Sequence, residues 1–208
     1  MSLLHSSDAF SERFEHAIAA IDEANAADPH TIEVDGKLRP KELTHAEMLA
    51  AWVLRLDPEP SEALLLAAHA HHIRRWTVPR ESYPAGRSGY LRWRRDLRMF
   101  HADEVAHILA VVGYEEAAIA RVCQIVRKER LSRDPEVQTL EDGLNLVFLQ
   151  TQFDELQERL GDEAKMVAIV RKTWRKMSPR GREAALGLEL SERGRIIVER
   201  ALADPGVS

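Results

Sequence analysis

The chain has 208 residues, 45% apolar and 30% charged, with a net charge of −5. That is long enough for one domain with a buried core and too apolar for a disordered chain. A lone cysteine, Cys123, excludes an intramolecular disulfide, suits a reducing compartment and reads as core filler. Apolar runs such as Leu144 to Leu149, with one asparagine inside, are too short to span a bilayer. The N-terminal MSLLHSSDAF lacks the basic and apolar regions of a signal peptide, so a cytoplasmic protein without a membrane partner is expected.

Phe10, Phe14, Ile18 and Ile21 recur at three- and four-residue steps and predict a first helix that stops near Asp28-Pro29. Thr31 to Pro40 reads as a turn, with Asp35-Gly36 at a tight bend and a short extended piece before it. Thr44-His45-Ala46-Glu47 matches a capping box, which predicts a second helix starting at Thr44, with Met48, Trp52 and Leu56 on one face, ending before Pro58. A third helix begins near Pro60-Ser61 and runs through His71 to about Trp76. Pro79, Pro84, Gly86 and Gly89 make Val78 to Gly89 an irregular loop, and its arginines and aromatics favour an ordered, functional one. Helices return over Tyr90 to Met99, His101 to Val112, Glu115 to Arg130 and Pro135 to Leu160. The last is apolar on all sides around Leu144, Leu146, Val147, Phe148 and Leu149 and is expected to be the central buried helix. Lys165 to Met177 follows, Ser178-Pro179 places a cap before proline at the first helical position, and a charged helix runs from Ser191 to Ala203. The expected fold class is all-α, eight or so helices in a single domain over residues 1–208.

Positive charge concentrates between His71 and Arg98, HHIRRWTVPRESYPAGRSGYLRWRRDLR. Eight arginines against Glu81 and Asp96 give this block +6 and leave the rest of the chain at about −11. Guanidinium groups beside histidines point to a bound anion such as phosphate. Arg74, Arg75, Arg80, Arg87 and Arg94, with Trp76 and Tyr83, are therefore candidate substrate-binding residues. The plainer alternative is a solvated basic face paired with the acidic remainder. That acidic remainder confines the site to a small phosphorylated molecule or nucleotide, argues against polymeric nucleic acid and leaves a homodimer open. There is no glycine-rich phosphate loop, Gly-x-Ser-x-Gly elbow, paired-cysteine zinc site or His-Glu-x-x-His motif.

Six of the nine histidines lie between His45 and His107. The third helix ends LLLAAHAHHIRR, His101 opens FHADEVAHILAVVGYEEAAIARVCQIVRKE, and Asp142 sits in TLEDGLNLVFLQ. With His45 on the second helix, this order resembles the HD superfamily of metal-dependent phosphohydrolases and its AALLHDIGK stretch. The strings HIRRW, PRESYP, GYLRWR, EVQTLED, LVFL and KTWRKMS resemble, over almost the whole chain, a family described only as a domain of unknown function.

The HD resemblance implies an HD-like core at about 44–150 and a C-terminal helical extension at 162–203. It implies hydrolysis of a small phosphoester or nucleotide, with a divalent transition metal (Mn, Fe, Zn or Ni) held by His45, His72, His101 and Asp142. Two imidazoles and a carboxylate, His72, His101 and Asp142, would make its reduced three-ligand form. His71-His72 stands where those enzymes have His-Asp, and Lys128-Glu129 where they have a later histidine pair, so His71, Lys128 and Glu129 are the implied catalytic positions. Two alternatives stand beside this. The domain would be a non-catalytic HD-like module binding a nucleotide, an anion or a protein partner, or Asp142 would be a buried acid paired with an arginine or His72 to tie helices together.

Overall fold

The computed structural model describes residues 11–34 and 36–203; Phe10 of the expected first helix and Asp35 of the expected bend lie outside them. Ser11 caps α1 (Glu12–Ala26), its hydroxyl accepting from Phe14 N at 3.2 Å. The helix buries Phe14 and Ile21, as the periodicity predicts, and Ala17 beside them, while Ile18 is half-buried. The expected turn that follows is a hairpin: β1 (Thr31–Val34) pairs antiparallel with β2 (Lys37–Pro40), turned through Gly36 at φ +73°.

α2 spans Lys41–Leu56 and so starts three residues before the expected capping box. Pro40 precedes its first turn, the Thr44 hydroxyl donates to the Pro40 carbonyl at 2.8 Å, and Glu47 accepts both Arg39 guanidinium nitrogens at 2.7 and 2.8 Å. Thr44 is thus inside the helix. Ser61 caps α3 (Glu62–Ala70) as expected, but this helix ends six residues before Trp76. Arg74 turns into the left-handed region at φ 49°, and short 3₁₀ turns follow at Arg75–Thr77 and Arg80–Ser82. The Arg80 guanidinium ties the loop by donating to the carbonyls of Tyr83 and Pro84 at 2.9 and 2.8 Å.

Where two helices were expected around Met99 and His101 there is one, α4 (Gly86–Val112), since neither proline nor glycine interrupts it there. α5 (Glu116–Val126) stops short of Arg130 because the backbone turns to positive φ at Lys128, Arg130 and Ser132. The expected helix from Pro135 to Leu160 is two, α6 (Pro135–Thr151) and α7 (Phe153–Leu160), parted at Gln152, which leaves the helical region. α8 (Glu163–Lys176), α9 (Pro179–Leu186) and α10 (Glu192–Leu202) follow, capped by Asp162, Ser178 and Ser191.

The fold is mostly α-helical, and α6 is its central buried helix. Val137, Leu140 and Val147 join a core with Ile21, Val53, Leu66, Val105 and Ile125 from α1 to α5. Leu146 and Leu149 join a second with Phe153, Met166, Trp174 and Ile197 from α7, α8 and α10. No described helix is long and apolar enough to cross a membrane.

Gly89 packs its backbone on the Pro84 carbonyl so closely that a Cβ would stand 1.8 Å from that oxygen. Gly89→Ala must push the loop off α4 and is expected to cost about 2 kcal/mol or more. Urea denaturation measures this; an unchanged midpoint would show that the loop shifts freely.

Candidate functional site

The turn after α3 sets His71 and His72 side by side, ring centroids 4.3 Å apart, and α4 brings the His101 ring to 5.8 Å from that of His72. The three differ in access: His71 and His101 are 7% and 2% exposed, whereas the His72 side chain is 30% exposed. His101 Nδ1 lies 2.8 Å from the Ile73 carbonyl. A carbonyl has no proton to give, so Nδ1 carries the hydrogen and Nε2 a lone pair. That Nε2 is buried without a partner, as is Nδ1 of His71. His72 Nδ1 donates in the same way to Glu42 Oε2 at 3.1 Å, which leaves its Nε2 as the acceptor nitrogen on the partly exposed ring.

Glu42 is the hub on the α2 side. Its buried carboxylate also stands 3.8 Å from His45 Nδ1 and 4.0 Å from Arg75 Nε, and its own N–H donates to Asp28 Oδ2 at 3.1 Å. Placing the helix start at Thr44 hid this residue. With Glu42 already helical, Glu42 and His45 are three apart and share a face.

On the opposite side Lys128, at φ 58°, donates from Nζ to Glu141 Oε2 at 2.6 Å, and Lys176 Nζ stands 3.6 Å from Glu141 Oε1. The Arg75 guanidinium lies 4.8 Å over the Trp93 ring. Arg94 donates to Tyr90 Oη at 3.3 Å and has no carboxylate partner among the described residues.

Charge and burial set the protonation states. Burial, then the neighbouring His72, Lys128, His101 and Arg94, hold His71 well below its ordinary value. Burial, then Arg75, His101, Lys128 and His45, does the same to His72. Burial brings His101 down to about 4 even though the Ile73 carbonyl favours its protonated form. Burial also lowers Lys128, against the pull of Glu141. Burial would raise Glu141, but Lys128, Lys176 and Arg94 together leave it below the usual range.

The structure brings together His45, His71, His72, His101, Arg75, Arg94 and Lys128 of the expected set. Asp142 is turned elsewhere: its carboxylate accepts from Ser178 N at 2.9 Å, Ser178 Oγ at 2.5 Å and Gln138 Nε2 at 3.0 Å. It does tie helices together, but through a serine rather than through an arginine or His72. Glu129 is exposed and accepts from Arg127 at 2.7 Å, and Arg74 is taken by Glu104 at 3.0 Å. Arg80 is spent on loop carbonyls, while Trp76, Tyr83 and Arg87 belong to the loop and first turn of α4 that flank the cluster. Among the described residues no three His, Cys, Asp or Glu side chains are arranged to hold a metal ion. The expected ligand set of His45, His72, His101 and Asp142 is not assembled, because the carboxylate that should complete it is taken by Ser178, the cap of α9. The residues present do not fit the expected divalent metal.

These features define an all-α protein with a histidine-lined, cation-rich site between α2, α3, α4 and the α5–α6 turn. Residues 15–198 match the family model for the domain of unknown function DUF4202, and the chain belongs to that family. No curated protein and no solved structure matches it, so the likeness to the HD superfamily rests on sequence strings alone.

Asp142→Ala strips two hydrogen bonds from the α6–α9 junction and a third within α6, and is expected to destabilise the fold by roughly 2–3 kcal/mol in urea denaturation. A loss below about 0.5 kcal/mol would show that Ser178 caps α9 unaided. The histidines add a pH dependence. His101 titrates at about 4 when folded and near 6.5 when unfolded. Between those values the unfolded chain binds more protons, so stability is full above 6.5 and is lost as pH falls toward 4. The expected loss is roughly 3 kcal/mol from His101. His101→Gln should flatten that slope across a pH series of urea midpoints; an equal slope would move its origin to other groups.

Proposed function

We propose that the protein binds a small phosphorylated molecule, a nucleotide or other small phosphoester, on the face of the cluster where His72 is exposed. One observation carries this: among the described residues, the carboxylates that pair with or act on Arg75, Arg94, Lys128 and Lys176 are two, Glu42 and Glu141. That excess of two positive charges is what a phosphate dianion neutralises, and a guanidinium matches its oxygens two at a time.

Binding would change the protonation of His72, which faces His71, Glu42, His45, Arg75, His101 and Lys128. In the free protein its ring is neutral. A dianion placed beside it favours the imidazolium, so binding takes up a proton and tightens as pH falls.

Calorimetry with ATP and with inorganic phosphate tests this reading. Binding is expected to weaken about tenfold or more in Arg94→Ala, to tighten several-fold from pH 8 to pH 6.5, and to survive EDTA. No binding at millimolar ligand, or an Arg94→Ala variant that binds like the wild type, would sink it.

A further inference from the structure

We propose that the site also hydrolyses a phosphoanhydride, the linkage between phosphates of a nucleoside di- or triphosphate, with His72 Nε2 as general base and Glu42 as the residue that positions it. The inference rests on the phosphate-binding reading above.

Three imidazoles lie in contact, and only one can meet a substrate. His71 and His101 are sealed at 7% and 2% exposure, while the His72 side chain is 30% exposed. Its Nδ1–H is committed to Glu42 Oε2 at 3.1 Å, which fixes the tautomer and leaves the Nε2 lone pair without a hydrogen bond among the described residues. A buried acid holding an imidazole this way prepares the ring to accept a proton. Glu42 is itself held from three sides, by its N–H to Asp28 Oδ2, by His45 and by Arg75, so the ring it braces has little freedom to turn. Burial keeps the ring neutral in the free protein; with phosphate bound its titration moves up, so it serves as a base only above the pH at which the complex protonates.

The rest of the cluster selects the leaving group. No carboxylic acid stands ready among the described groups around His72 to protonate a departing alcohol: Glu141 is ionised against Lys128 and Lys176, Glu42 is spent on His72, and the Lys128 ammonium is held by Glu141. The cations Arg75, Arg94 and Lys128 instead stabilise an oxyanion, so the favoured leaving group departs as one. A phosphate or nucleoside phosphate does so; an ordinary alcohol does not.

The step balances with water as the only co-reactant. A water proton passes to His72 Nε2 as the water oxygen bonds to the terminal phosphorus. The bond from that phosphorus to the bridging oxygen breaks, and its electron pair leaves on the bridging oxygen of the departing nucleotide. Orthophosphate and the shortened nucleotide leave, and the imidazolium returns its proton to solvent.

The test uses the full chain with ATP in EDTA, following phosphate release by turnover and binding by calorimetry. The wild type should release phosphate, with kcat falling below neutral pH as His72 protonates. His72→Asn should lower kcat by about 100-fold or more. Glu42→Gln should lower kcat more than it raises KM, and Glu42→Asp should restore part of the loss. Because Glu42 also braces Arg75 and His45, His72→Asn carries the test if Glu42→Gln does not fold. Wild-type protein that binds ATP and releases no phosphate would overturn hydrolysis while sparing the binding reading, as would a His72→Asn variant with undiminished kcat. Activity that appears only with an added divalent ion would place His72 Nε2 on that ion rather than on water and overturn its role as base. Failure to bind ATP at all would overturn the binding reading first.

Discussion

The arrangement hangs on two neighbouring acids, Glu141 and Asp142, in the middle of the central helix α6. Successive residues on a helix point about 100° apart, so one turn of α6 sends a carboxylate in each of two directions. Glu141 faces the α5–α6 turn and holds Lys128 beside the histidines. Asp142 faces the C-terminal helices and holds the first turn of α9 through Ser178. Gly181 allows that approach, since a Cβ there would stand 2.6 Å from Asp142 Cγ. Each acid is buried and each is fully engaged, as buried carboxylates must be. Hydrogen bonds to an ionised group contribute about 1.5–3 kcal/mol each, so this pair fixes the register between the two hydrophobic cores that meet on α6.

The same turn accounts for two of the sequence strings that stand far apart in the chain. EVQTLED lies on α6 and KTWRKMS ends α8, and they meet side chain to backbone: Gln138 Nε2 donates to the Lys176 carbonyl at 2.8 Å, Lys176 Nζ approaches Glu141, and Ser178 meets Asp142. The sequence could say that Asp142 was buried and partnered, because an acid within an apolar helical run has to be. It could not say with what, because helical periodicity gives the face of a residue and not the direction from which a later segment returns. Glu42 was hidden for a different reason. Its helix opens directly from a strand at Pro40, without a capping hydroxyl, and Thr44 four residues on offers a capping-box pattern that the chain does not use. The helices with ordinary serine caps, α3, α9 and α10, were legible to within a residue at their starts.

Arginine density in the sequence likewise overstated arginine density at the site. Of the eight between His71 and Arg98, Arg74 pairs with Glu104, Arg92 and Arg95 share Asp96, and Arg80 clamps loop carbonyls. A solvated, paired face is the right description for Arg74, Arg92 and Arg95. Arg75 and Arg94 are the ones whose charge reaches the histidines, joined by Lys128, which comes from outside the block. What makes the site is therefore the low polarity around it. Three desolvated imidazoles refuse protons of their own, which leaves the two arginines and the lysine as the fixed positive charges and leaves the ring nitrogens as acceptors.

That division of labour also explains the place of the C-terminal helices in the fold. Lys128 is drawn toward Glu141, and a bound dianion would draw the same ammonium outward. Glu141 would then be a buried anion losing half its counter-charge, a costly state if Lys128 were its sole partner. Lys176, on the last turn of α8, stands 3.6 Å from the other carboxylate oxygen and supplies the second positive charge. The helix is held at that spot by Gln138 and, one turn of chain later, by Asp142 and Ser178. The C-terminal helices thus belong to the electrostatics of the site as well as to the second core: through Lys176 they give Glu141 its second counter-charge.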